Sequence, residues 1–199
     1  MHHLLTFARH PELGRVKTRL AATIGAEAAL AVYRELVQHT QEVANGLADV
    51  RKTVWFAAPS SVPNSADAWL GFEQAVQPAG DLGQKMQAAF EHAFQQGATA
   101  AVIIGTDCPG LTSAHLTAAF QALMVHDVVV GPAADGGYYL LGMKRLYAEL
   151  FQNKAWSTAE VLSATLADAG RLGLRTVPLP VLRDVDTAED LAAWRTAEH

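Results

Sequence analysis

Ala100 to Ile104 is an unbroken apolar run that stops at Gly105-Thr106 and delivers a lone carboxylate, Asp107, just ahead of Cys108-Pro109. A short run without polar alternation reads as a strand buried on both faces, the pattern of a parallel sheet covered by helices. In open α/β sheets the ligand crevice lies at the carboxyl edge of the strands, which is where Asp107 would stand. A carboxylate there can hold a divalent cation that neutralises phosphate. It can equally cap the turn before Pro109, and this stretch alone leaves both readings open.

The rest of the chain alternates in the same sense. Strands are expected at Leu4 to Ala8, Lys52 to Ala58, Ala75 to Pro78, Asp127 to Gly131, Tyr138 to Met143 and Leu174 to Val177. Helical spacing covers Ala26 to Ala44, Gly83 to Gln96, Ser113 to Met124, Ser157 to Ala169 and Thr187 to Thr196. Pro59 to Asp67, rich in Pro, Ser and Asn, reads as a loop. Alternating strands and helices predict a three-layer α/β/α arrangement on a mostly parallel sheet. With no internal repeat and no linker, residues 1–199 are expected to form one domain.

Composition narrows the partners. Half the residues are hydrophobic and 18% are charged, so the chain is globular. The net charge is -5 and no Lys/Arg face is clustered, which argues against nucleic acid while leaving room for a nucleotide. No apolar run approaches the roughly 20 residues a membrane helix needs. Arg9, His10 and Pro11 break the apolar opening too early for a secretory signal. Cys108 is the single cysteine, so no intrachain disulfide forms and a reducing, cytoplasmic setting is expected.

Four segments stand where chemistry is expected. Gly14-Arg15-Val16-Lys17-Thr18-Arg19-Leu20 follows the first strand and precedes a helix. Its cations beside one glycine suit phosphate, though a solvated basic turn has the same composition and the Walker spacing is absent. Gln77 to Met86 carries Gly80 and Gly83 at a helix start, where free N–H groups can face an anion and Asp81 reads most simply as the N-cap. Asp135-Gly136-Gly137 is a tight turn, most simply a hairpin. In Asp184-Val185-Asp186-Thr187, a capping role for Thr187 and Asp190 leaves the two earlier acids unexplained. Elsewhere, Trp156 can stack on a base or sugar, but Ser157 to Glu160 reads as a capping box with Trp156 and Val161 as its hydrophobic staple, which needs no ligand. Cys108, next to a carboxylate that disfavours thiolate, reads as packing.

Taken together, the motifs resemble the nucleotide-diphospho-sugar transferase superfamily, which includes GT-A-type glycosyltransferases and related nucleotidyltransferases. Phe7-Ala8-Arg9, Pro11, the Gly14-to-Leu20 segment, Gly80-Asp81-Leu82-Gly83, Gly105-Thr106-Asp107-Cys108-Pro109, Asp135-Gly136-Gly137-Tyr138-Tyr139, Trp156-Ser157-Thr158 and Asp184-Val185-Asp186-Thr187 carry the resemblance. It is strongest to the bacterial radical-SAM/selenodomain-associated transferase type 1 family. Lys17 to Leu20 and the Asp-x-Asp-Thr end also look like 2-phospholactate guanylyltransferase. The resemblance implies a GT-A-like fold, an Mg²⁺ or Mn²⁺ ion on Asp107 and Asp186, and phosphate contacts from Arg9, Gly14, Arg15, Lys17 and Arg19. It implies Gln77, Gly80, Asp81 and Gly83 near the base. Two features depart from the superfamily's pattern. The glycine-rich opening loop is reduced to Gly14, and the first metal acid is a single Asp107 without a second Asp beside it.

The expectation is therefore a metal-dependent transferase for a nucleotide-activated substrate. Glycosyl transfer from a nucleoside-diphosphate sugar is favoured, with Asp107, Lys17 and Asp135 carrying the chemistry and Asp135 on the acceptor hydroxyl. Nucleotidyl transfer from an NTP and a non-catalytic nucleotide-binding module are the alternatives. Base, sugar, acceptor and oligomeric state are not specified by the residues.

Overall fold

The computed structural model describes residues 1–58 and 69–197. The strands are β1 (His2–Ala8), β2 (Val50–Phe56), β3 (Glu73–Val76), β4 (Ala100–Ile104), β5 (Val128–Pro132), β6 (Tyr138–Met143) and β7 (Thr176–Pro178). The helices are α1 (Thr18–Ile24), α2 (Ala26–Asn45), α3 (Leu82–Gln95), α4 (Ser113–Ala122), α5 (Val161–Arg171) and α6 (Ala188–Ala197). The strands form one sheet in the order β3-β2-β1-β4-β6-β5-β7. The pairs β1–β2, β1–β4, β2–β3 and β5–β7 are parallel, and only β6 runs against its neighbours β4 and β5. The expected mostly parallel α/β sheet is thus observed.

Hydrophobic burial explains why β1 and β4 are central. All five residues of β4 are buried: Ala100, Val102 and Ile104 join the core on the α2 and α4 side, while Ala101 and Ile103 join the core on the α3 side. Leu4 and Leu5 of β1 divide between the same two cores. Alternate residues of a strand face opposite sides, so a run with no polar positions requires cover on both. A third, smaller cluster packs Leu20 of α1 against Ala29, Val32 and Leu36 of α2 and Val185, with Leu191 and Trp194 of α6 beside it. It fastens the C-terminal segment to the start of the chain.

The main differences from expectation are local. α1 is a separate helix, divided from α2 by Gly25 at φ 87°. A 3-10 turn at Ala148–Phe151 was not foreseen. α5 begins at Val161, not Ser157, and has no side-chain cap. Thr158 takes up the turn instead, donating its hydroxyl to the Ala155 carbonyl at 2.8 Å. The expected Pro59–Asp67 loop lies outside the described residues. The hairpin at Asp135-Gly136-Gly137 is present, joining β5 to β6, with Gly136 at φ 90°.

Gly142 of β6 leaves no room for a side chain between the two flanking strands. A Cβ built there would press on the side chains of Val129 and Val102 in the two flanking strands. Gly142→Ala should therefore destabilise by about 1–3 kcal/mol through overpacking. A urea midpoint lowered at unchanged m-value is the expected result, and no shift would show that the strands can part freely.

Candidate functional site

The strand order reverses at β1, whose two parallel neighbours are β2 and β4, and the carboxyl ends of β1 and β4 open a crevice there. A cavity of about 600 Å³ occupies it. Arg9, Arg15, Lys17, Arg19, Gln77, Asp107 and Asp186 all line it, together with Thr106, Tyr33 and Ser157. Gly14, Gly80, Asp81, Gly83 and Asp135 do not.

Lys17 is the centre of the site. Its ammonium donates to Asp107 Oδ1 at 2.6 Å and to Asp186 Oδ1 at 2.9 Å, and its side chain is only 4% exposed. Burial alone would lower its pKa, but the two carboxylates outweigh that and hold it above the usual lysine value. Lys17 sits in the left-handed region (φ 48°) at the N-cap of α1 without donating a side-chain cap. For a residue other than glycine this conformation is strained by about 1–3 kcal/mol. The ion pairs supply the compensating attraction.

The second acid is brought in from far along the chain. The Val185 N–H donates to the Asp107 backbone carbonyl at 2.9 Å, and Val185 is fully buried. Its neighbours Asp184 and Asp186 line one cavity together, and Asp186 also lines the larger one. Asp190 Oδ2 caps the following helix, accepting from the Asp186 N–H (3.2 Å), the Thr187 N–H (2.9 Å) and the Thr187 hydroxyl (2.7 Å). Asp135 lies in an adjoining cavity with Asp184, Asp190 and Arg183. The Asp184 carboxyl is pushed up to about 7, by burial first and then by the charges of Asp107, Asp135 and Asp186. Burial and the acids Asp184 and Asp107 push the Cys108 thiol up to about 12, so it remains a protonated packing group.

The donor set fits a hard divalent cation. Asp107 and Asp186 are 45% and 42% exposed at their side chains, so each keeps oxygen surface open to the cavity. Among the described residues no group of three or more His, Cys, Asp or Glu has metal-binding geometry. Two carboxylates with the remaining positions left to phosphate and water suit Mg²⁺ or Mn²⁺ better than a closed protein cage.

The other wall suits a planar, partly apolar group. The cavity lining supplies Phe7, Ala57, Leu82, Lys85 and Gln77 for it. Gln77 donates its amide N–H to the Trp55 carbonyl at 3.0 Å, which leaves the amide oxygen as its acceptor. Tyr33 clamps the end of β1: its hydroxyl accepts from the Arg9 N–H (2.8 Å) and donates to the Arg9 carbonyl (3.0 Å). The residues of the Gly80-to-Gly83 turn have other tasks. Asp81 and Gln84 form a reciprocal capping box on α3 at 2.9 Å each way. A Cβ on Gly83 would collide with the Trp156 ring and the Phe151 carbonyl. Trp156 thus packs over Gly83 rather than stapling a cap, and Ser157 is carried to the cavity wall at φ 64°. Sequence reasoning gave no role to Tyr33, Thr106, Lys85 or Arg183, and left Asp184 beside Asp186 as an unexplained acid.

The family described as an uncharacterized protein conserved in bacteria (DUF2064) matches residues 39–158. No curated protein matches the sequence. A crystal structure from Desulfovibrio desulfuricans G20, of a protein named for the nucleotide-diphospho-sugar transferases, shares 32% identity over 100% of this chain and 88% of its own, with a TM-score of 0.92. Two more distant structures share the fold. The 4-diphosphocytidyl-2C-methyl-D-erythritol synthase of Anaerococcus prevotii DSM 20548 is 7% identical over 100% of this chain and 96% of its own, with a TM-score of 0.65. Glucosyl-3-phosphoglycerate synthase of Mycobacterium tuberculosis, in complex with Mn²⁺, UDP and glucosyl-3-phosphoglycerate, is 11% identical over 97% of this chain and 75% of its own, with a TM-score of 0.59.

Asp184 gives the site a pH signature. A carboxyl whose folded pKa lies above its unfolded value of about 4 binds more protons when folded, so it costs stability as pH rises from about 4 through 7. In EDTA, Asp184→Asn should raise stability by about 1–3 kcal/mol at pH 8 and change it little at pH 4. Thermal unfolding at both pH values reads this, and equal gains at the two would refute it.

Proposed function

The chain belongs to the DUF2064 family, and from that premise and the cavity's geometry we propose that it is a divalent-cation-dependent transferase for a nucleotide-activated substrate. Glycosyl transfer from a nucleoside-diphosphate sugar is the reaction the geometry supports best. On this reading the chain is a single cytoplasmic domain over residues 1–199, of the radical-SAM/selenodomain-associated transferase type 1 kind. The observation that carries it is Lys17 between Asp107 and Asp186 at the sheet's switch point, in a cavity that Arg15 and Arg19 also line. Cationic side chains beside two outward carboxylates match a diphosphate with its cation, whereas either set alone would leave charge unbalanced.

When bound on Asp107 and Asp186, Mg²⁺ or Mn²⁺ would neutralise charge on the leaving diphosphate. Lys17, Arg15 and Arg19 would share that charge, and Gln77 with the apolar wall would hold the base. Asp135 would orient the acceptor hydroxyl and take its proton. The opening loop favours a diphosphate over a triphosphate. Its Glu12 and Arg15 amides already bond within the loop, to His10 and Glu12 carbonyls at 2.8 and 3.1 Å. Those two amides are not free to meet a third phosphate.

Calorimetry with nucleoside diphosphates, nucleotide sugars and matching triphosphates at equal Mn²⁺ tests this. Diphosphates and nucleotide sugars should bind tighter than triphosphates, and a ligand at 100 times its Kd should stabilise by about 2.7 kcal/mol. Asp107→Asn should keep the fold and lose the Mn²⁺-dependent part of the affinity. Equal affinity in EDTA and Mn²⁺ would remove the metal from the reading. Preferential triphosphate binding with pyrophosphate release would turn it to nucleotidyl transfer, and tight binding without turnover to a regulatory module.

A further inference from the structure

Beside the nucleotide cavity lies a smaller one of about 200 Å³, which Asp135, Arg19, Arg183, Asp184, Asp186 and Asp190 line. It shares Arg19 and Asp186 with the larger cavity, so an occupant would meet the diphosphate end of a nucleotide. Its two guanidiniums are weakly engaged. Arg183 reaches Asp190 Oδ1 at 3.4 Å with its side chain 55% exposed, and Arg19 lies 3.9 Å from Asp186 Oδ2 and is 73% exposed. Each guanidinium carries five N–H donors in a fork matched to carboxylate or phosphate oxygens. The acids divide differently. Asp190 has its Oδ2 filled by three donors of its own segment, and Asp186 is paired with Lys17. Asp135 uses Oδ1 for the Gly137 N–H at 2.9 Å, which leaves Oδ2 to accept from a hydroxyl.

We propose that this cavity is the acceptor subsite and that it takes a small hydroxylated anion, with its carboxylate or phosphate on Arg183 and Arg19 and its hydroxyl on Asp135. The inference rests on the larger cavity holding a nucleotide sugar. The acceptor oxygen then bonds the sugar C1 as the C1–O bond to the diphosphate breaks. The leaving oxygen keeps the electron pair, and the hydroxyl proton passes to Asp135. Carboxyl groups outnumber guanidiniums here, so an anion enters favourably only after a divalent cation has offset that charge.

Calorimetry on the protein with Mn²⁺ and UDP, and with Mn²⁺ alone, tests the proposal with three probes: D-glycerate, glycerol 3-phosphate and glycerol. Either anion should bind saturably and at least tenfold tighter than glycerol, and the tighter of the two tells carboxylate from phosphate. Arg183→Gln, at an exposed position, should weaken the anion at least tenfold and leave melting temperature and UDP affinity unchanged. Glycerol binding as tightly as the anions, an unaltered anion affinity in Arg183→Gln, or no anion binding would overturn the proposal. Arg183-dependent anion binding without UDP binding would uphold the subsite and sink the nucleotide reading instead.

Discussion

A single enclosed ammonium holds the site together. Lys17 meets Asp107 from the central strand and Asp186 from the C-terminal segment, so three parts of the chain converge on one charge. Only the ammonium is buried, so removing either acid leaves an enclosed charge with one partner. The left-handed backbone at Lys17 belongs to the same logic. A relaxed backbone would not deliver the ammonium to both acids, and the ion pairs keep the chain in a conformation it would otherwise leave.

Much of this was legible in the sequence because the strongest signals were hydrophobic. The run Ala100 to Ile104 could only be a doubly covered strand, and β4 has the bounds expected of it. β6 likewise matches its expected span, and the Asp-Gly-Gly turn joins it to β5. Boundaries set by caps were less readable. Ser157 to Glu160 has the composition of a capping box, yet Trp156 is drawn onto Gly83 by packing, and that tertiary contact starts α5 later. The separation of α1 from α2 depends on Gly25 at positive φ, which a helical hydrophobic pattern does not reveal. Arg183 and Tyr33 were invisible for a different reason. Their roles come from neighbours far away in sequence, such as Tyr33 on Arg9, and no local spacing encodes them.

Glycines and charged side chains exchange the roles their sequence contexts suggest. Gly83, Gly131 and Gly142 admit Trp156, Tyr139 and the flanking strand side chains against bare backbone. They set interelement distances rather than cradle an anion. The cations on the cavity wall are instead long side chains, and Arg15 and Arg19 are each 73% exposed. Charges presented this way are strongly screened by salt, in contrast to fixed backbone dipoles.

The Lys17–Asp186 pair spans 169 positions, and Val185 reaches back to the Asp107 carbonyl. During synthesis the sheet from β1 to β6 can pair long before Asp186 leaves the ribosome. Until then Asp107 and Lys17 face each other without their third member. The small cluster of Leu20, Val185, Leu191 and Trp194 closes only when α6 has emerged. In this topology the crevice receives its second acid from residues that follow nearly the whole sheet in the chain.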